Sequence, residues 1–299
     1  MKTIYMPEIK RDDRIGSVFN SLFNIINICD CEDEIIFDFK DRVFFHPFFI
    51  APLAIYCDTP GRRTQNINLN NGLQAYLSTI FFDSPQIITC ASDVDNIIRA
   101  YGRKTYTPIC KFLTDSADRD QIESQIQHLI EIQSAASGEA KMPLSYLFSE
   151  LITNIVEHSQ SKYGYIYSQY LNTEGCVDIC IADNGVTILG SYIQANKYID
   201  DIQGDPAEAL RLAVGGFSTK NLPNTENRGY GISSSIRMLV EGLRGSFFIL
   251  SGSAFYRHDK NGKTIVRLPD SIEWHGTIVL LRVPIKNLPA DFNCYKYVE

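Results

Sequence analysis

The 299-residue chain has no apolar run near the roughly 18 residues that a membrane-spanning helix needs, and its opening Met1-Lys2-Thr3-Ile4-Tyr5 lacks a signal-peptide core. Neither a membrane span nor export is predicted, and a cytoplasmic location is expected. The 8 cysteines lack the paired spacing with accompanying histidines that a zinc site requires. The tight pair Cys29-Asp30-Cys31 and the same-face pair Cys176 and Cys180 therefore read as reduced, structural thiols. Positive charge is not in excess: 28 Lys and Arg against 35 Asp and Glu leave a net charge of −7. A nucleic-acid partner would be held against an unfavourable overall field and is not expected. What the chain does have is a 44% hydrophobic content, normal for packed globular protein, in a length that suits two domains.

Apolar spacing predicts an amphipathic helix over residues 14–29, a strand over 34–39, a helix over 47–56 with Pro47 in its first turn, a strand over 65–69 and a helix over 72–82. A helix over 117–133 carries Ile122, Ile126, Leu129 and Ile130 on one side, which leaves His128 at the surface. Ser137-Gly138-Glu139-Ala140 then breaks it before Pro143. Alternating runs at 163–171 and 176–182 around Asn172-Thr173-Glu174-Gly175 predict an antiparallel hairpin. Helices over 205–214 and from 232 to about 241 follow, then strands over 246–256, 263–268 and 275–284. Helices beside mostly antiparallel strands make an α+β layer.

The stretch from Ser149 to His158 carries the chemistry. On a helix, Glu150, Asn154 and Glu157 fall within about 60° of one another, opposite Phe148, Leu151, Ile152 and Ile155. A general base and a metal ligand could be held there one turn apart. Magnesium on a triphosphate takes few protein oxygens, and the Asn154 amide can supply one; Glu150 would then stand near the γ-phosphate, placed to polarise a water or a hydroxyl. Asp183-Asn184-Gly185 ends a predicted strand, where a carboxylate can accept the exocyclic amine of adenine. The stretch from Gly215 through Ser218, Thr219 and Lys220 to Arg228-Gly229-Tyr230-Gly231 combines glycines before a helix with two cations, an anion-binding pattern. Gly229-Tyr230-Gly231 lacks the third glycine of a Rossmann fingerprint and the Gly-Lys-Ser/Thr ending of a Walker loop.

Glu150 with Asn154, Asp183 with Gly185, Gly229 with Gly231, and His275-Gly276-Thr277 resemble, in that order, the nucleotide-binding domain of the GHKL superfamily, shared by DNA gyrase, heat-shock chaperones, histidine kinases and the mismatch-repair protein MutL. The resemblance covers the C-terminal part and implies an α/β sandwich: a mixed, mostly antiparallel sheet with helices on one face, over residues 113–299. It implies Glu150 as catalytic base, Asn154 as the Mg2+ ligand, and an ATP site formed by Asn154, Asp183, Gly185, Ser218, Thr219, Lys220, Arg228, Gly229, Tyr230, Gly231 and Thr277, with the 216–231 loop as lid. Two positions depart from the family pattern. Thr187 stands where a second glycine is common, and Glu157 where many kinases of the superfamily are basic.

The N-terminal β-α-β-α order, with Phe37-Asp38-Phe39 leading through Phe45-His46-Pro47-Phe48-Phe49-Ile50-Ala51-Pro52-Leu53, resembles the STAS domain of anti-sigma-factor antagonists over residues 1–112. That resemblance implies a smaller α/β docking domain. His46, Pro47 and Phe48 stand where regulated members carry a phosphorylatable Ser or Thr, which implies a lost phosphoswitch and a packed or turn histidine. Together the two resemblances imply a magnesium-dependent ATPase or histidine-kinase-like phosphotransferase with a protein partner, for which a second copy of the chain is one candidate. An ATP-operated conformational switch with slow hydrolysis is expected ahead of an anti-sigma or sensor-type kinase acting on a partner Ser, Thr or His. An adaptor with vestigial nucleotide binding fits poorly with intact Glu150 and Asn154.

Overall fold

The computed structural model describes residues 1–10, 15–29, 34–58, 61–135, 138–219, 230–269, 271–286 and 292–297. The first third runs β1 (Lys2–Tyr5), α1 (Ile15–Cys29), β2 (Glu34–Asp38), α2 (Pro47–Cys57), β3 (Arg63–Ile67), α3 (Asn71–Thr79), β4 (Gln86–Ile88), α4 (Ala91–Tyr101) and β5 (Cys110–Leu113). Then come α5 (Arg119–Ser134), α6 (Gly138–His158), β6 (Tyr163–Leu171), β7 (Cys176–Asp183), α7 (Ile188–Ala195), α8 (Ile199–Ile202) and α9 (Pro206–Val214). The remainder is α10 (Tyr230–Arg237), continuing as a π-helical turn over Met238–Gly242, then β8 (Ser246–Gly252), β9 (Ala254–Asp259), β10 (Gly262–Arg267), β11 (Trp274–Pro284) and a 3-10 turn at Cys294–Tyr297.

An 8-stranded sheet in the order β10-β9-β8-β11-β7-β6-β5-β4 is antiparallel throughout except at β4–β5. A 3-stranded parallel sheet, β1-β2-β3, stands apart from it. The architecture is thus α+β with a mixed, mostly antiparallel main sheet. Strand β5 straddles residue 112, and both β4 and β5 belong to the main sheet rather than to the small one.

Helices α5, α6, α9 and α10 of residues 113–299 pack on one face of the main sheet, joined by α4, and the N-terminal α1 and α2 cover the other. Val177, Ile179 and Ile181 of β7, Phe247 and Ile249 of β8, and Val279 and Leu281 of β11 pack against α4, α5, α6, α9 and α10. Alternate residues Cys180, Ala182, Phe248, Leu250, Ile278 and Leu280 point the other way, into a second core with α1, α2 and the small sheet. Every residue of β7 is buried, as a strand covered on both faces requires. Helix α2 is apolar all round and buried without a break from Pro47 to Ile55, because it lies between α1 and the main sheet.

Polar groups join the layers at the end of the sheet far from Asp183. Arg282 of β11 makes a two-pronged pair with Asp178 of β7, at 2.8 Å on each prong. Burial raises the Asp178 carboxyl pKa against the lowering pull of that guanidinium. Arg282 Nη2 also lies 3.4 Å from His46 Nε2, and His46 Nδ1 accepts the Phe48 N–H at 3.2 Å, capping α2. His46 is buried and packed, as its sequence setting predicts, and His128 is exposed. The described cysteines at 29, 57, 90, 110, 176 and 180 are free thiols. Among the described residues no helix is long and apolar enough to cross a membrane, and no cluster of three or more His, Cys, Asp or Glu could hold a metal ion.

Candidate functional site

Helix α6 begins at Gly138, inside the predicted break, and runs on through Pro143. Leu144, Leu147, Phe148, Leu151, Ile152 and Ile155 anchor it in the core. Its other side carries Glu150 and Asn154, whose Nδ2 donates to Glu150 Oε1 at 3.3 Å. That orientation reserves the amide oxygen of Asn154 for another partner.

Asp183 closes β7, paired with Gly164 of β6 on one side and Thr277 of β11 on the other. The register thus places side by side two residues that are 94 positions apart in the chain. The Asp183 side chain is 2% exposed. Its carboxyl accepts the Gly185 N–H at 2.8 Å, and burial outweighs the lowering pull of the Gly185 and Thr277 amides, lifting its pKa to about 7. At Gly185 the chain passes close to the backbone of Ser159 and Ser161. A Cβ there would lie 2.0 Å from the Ser159 carbonyl oxygen, and Val186 N–H donates to that same oxygen at 2.6 Å.

These elements enclose a cavity of about 330 Å³ whose wall includes Glu150, Asn154, Asp183, Ser218, Thr219, Gly231 and Thr277. The volume suits a small organic ligand. Gly185 is not among the residues that line the cavity. Lys220, Arg228 and Gly229 fall outside the described residues, and Tyr230 is described only as the first residue of α10.

Several wall residues carry no motif. His158 sits one turn beyond Asn154, and its Nδ1 lies 3.1 Å from Thr219 Oγ1. Extending the Glu150, Asn154 spacing by four more residues would have found it. Tyr192 of α7 lines the cavity and donates its hydroxyl to the Phe217 carbonyl. Ser251 of β8 supports the wall: it accepts the Ile188 N–H at 2.8 Å, donates to the Gly276 carbonyl at 2.9 Å and lies 3.1 Å from Thr277 Oγ1. Only the pairing of β8 with β11 reveals it.

Thr187, where the resembling motif has a glycine, lines the cavity and starts α7. Its Oγ1 accepts the Gly190 N–H at 3.0 Å as an N-cap. Thr187→Ala is expected to cost about 1 kcal/mol in a urea-unfolding measurement, with Thr187→Ser recovering most of it. Exposed Glu157 stands off the cavity wall and lies 4.0 Å from His158 Nε2.

The chain matches no protein-family model, no curated protein and no solved structure. The geometry therefore carries the functional argument: a buried acceptor at one end of the cavity, and a carboxylate with an amide at the helix that forms another wall.

Proposed function

We propose that this chain binds ATP in the α6–β7–β11 cavity and works as an ATP-dependent conformational switch of the GHKL type, with slow hydrolysis as its reset. The supporting observation is that Glu150, Asn154, Asp183, Gly231 and Thr277, separate in sequence, line one cavity of about 330 Å³. Asp183 would accept the adenine amine, with Thr277 beside it. Asp183 is held for this by the Gly185 N–H, which fixes where its Oδ1 points.

The site fits magnesium in the chemistry of its donors. Asn154 offers a hard oxygen, because its nitrogen is committed to Glu150 at 3.3 Å. Mg2+ on the triphosphate would neutralise phosphate charge. Glu150 would orient and deprotonate the attacking hydroxyl, that of water in the switch reading. Asn154 would hold Glu150 in place from one turn away. The N-terminal α/β unit, STAS-like in this reading, would transmit the nucleotide state to a protein partner or to a second copy of the chain.

Titration of the protein with ATP and with GTP in the presence of magnesium tests the reading; saturable binding with preference for ATP is expected. With γ-labelled ATP, free phosphate as the sole labelled product supports the switch, whereas stable label on the protein or on an added partner supports the kinase alternative. Absence of saturable ATP binding would sink both.

A further inference from the structure

The main chain of Asp183 is held from the far side of the sheet. Trp274, the chain's one tryptophan, is 2% exposed and belongs to the core shared with α1 and α2. Its Nε1–H donates to the Asp183 carbonyl oxygen at 3.1 Å. An irregularity in the β8–β11 ladder makes this reach possible. Trp274 pairs with Gly252 and Thr277 with the adjacent Ser251, so His275 and Gly276 are extra residues on β11. Gly276 has φ +94°, and a Cβ there would lie 2.3 Å from the Asp183 carbonyl oxygen and 2.7 Å from the Gly185 nitrogen. The bulge therefore presses the start of β11 against the Asp183–Gly185 turn, with the indole N–H on the Asp183 carbonyl and the Gly185 N–H on the Asp183 carboxylate within the turn.

The ring of Trp274 in turn packs on Tyr56, near the C-terminal end of α2, with centroids 6.3 Å apart. On Tyr56 lies the Arg62 guanidinium, 4.0 Å from the ring centroid, with Nη1 donating to the Tyr56 carbonyl at 3.0 Å. The tyrosine hydroxyl reaches the Ile26 carbonyl of α1 at 3.4 Å. A continuous set of contacts thus runs from α1 and α2 through Tyr56 and Trp274 to Asp183.

We propose that Trp274 is a positioning residue: through Tyr56 it lets the N-terminal layer set the Asp183 turn, and so governs how well the cavity selects adenine. The choice of adenine rests on the ATP reading above; the control of the turn rests on the contacts alone. Trp274→Phe keeps a ring against Tyr56 and removes the N–H. It is expected to weaken ATP binding about tenfold and to narrow the preference for ATP over GTP by a similar factor, the size of one lost hydrogen bond. A loss of packing alone would lower both nucleotides' affinities equally.

Hydrogen exchange of the nucleotide-free protein separates the two readings. Peptides spanning residues 183–186 are expected to exchange about tenfold faster in Trp274→Phe, with β2 and α5 unchanged, and Tyr56→Leu should act in the same direction. If the wild type binds no ATP, the functional reading falls and the exchange result alone decides the positioning role. Unchanged exchange at 183–186 in both variants overturns the proposal. Should Trp274→Phe fail to fold, Arg62→Ala, which removes the guanidinium over Tyr56 and its hydrogen bond to the Tyr56 carbonyl, gives the same readout with a smaller expected increase.

Discussion

Asp183→Asn is expected to melt higher than the wild type at pH 8, while Asp183→Ala is expected to lose ATP about a hundredfold, the cost of a missing acceptor in a buried recognition site. The stability gain follows from a carboxyl whose pKa burial lifts to about 7 from its usual range. The folded state then holds a proton that the unfolded chain has released, so the wild type loses stability as pH rises from about 4 to about 7 and stays at the lower level above. Converting the shift gives at most about 4 kcal/mol, and the asparagine variant lacks that slope. The gap between the two melting curves should therefore be small near pH 4 and widest above pH 7. Equal gaps at pH 4.5 and 8 would show that the carboxyl does not titrate where its burial implies.

Under the proposed ATP reading, the same proton would affect binding in the opposite direction. An adenine amine would donate to the ionised carboxylate, so ATP affinity should fall towards tenfold per pH unit below 7 in the wild type. His158 and Glu150 line the same cavity and could add their own pH dependence. Asp183→Asn provides the control, since its affinity keeps only the part due to those neighbours. A residue that costs stability in the empty protein and gains affinity in the loaded one is a usual compromise at binding sites.

Much of this site was legible in local patterns. The helical spacing that puts Glu150 and Asn154 on one face, opposite Leu151 and Ile155, survives intact because an amphipathic helix states its own geometry. The 163–171 and 176–183 hairpin was read nearly to its ends, since its turn and its runs are local signals. What stayed hidden depends on pairing between distant strands. The contribution of Ser251 exists only because β8 lies beside β11, and neither residue type nor spacing announces it. The 246–256 run read as one strand but breaks at Ser253, with Gly252 at φ +57°. Strand β4 has three residues, too few for a period to show.

The second core was hidden for another reason. A strand such as β7, apolar but for Asp178 up to its last residue, fits burial on both faces, yet nothing in it says what lies on the second face. The fully apolar α2 was the complementary signal, since a helix without a polar side needs cover all round. The two read together imply that the N-terminal layer closes the back of the sheet. Tyr56 and Trp274 show the consequence: part of what shapes the cavity comes from residues that line the opposite core.

Glu150→Gln is expected to retain ATP binding within a few-fold of the wild type and to slow phosphate release by about 10² to 10⁴, the range for a lost general base. Gly231→Ala tests the same role without touching the carboxylate. A Cβ on Gly231 would lie 1.8 Å from Glu150 Oε1 and 2.0 Å from its Cδ, so the glutamate must swing away. The obstructing atoms are the far end of a long, flexible side chain rather than backbone, so the fold should bear the change with a near-normal melting temperature. Gly276→Ala differs, because the obstruction there is the Asp183 backbone and φ is +94°. If Glu150 acts from one defined position, Gly231→Ala should lower turnover at least tenfold while ATP still binds. Full turnover in Glu150→Gln would remove the base from the mechanism. Loss in Glu150→Gln with full turnover in Gly231→Ala would mean that Glu150 works from the position to which the alanine displaces it.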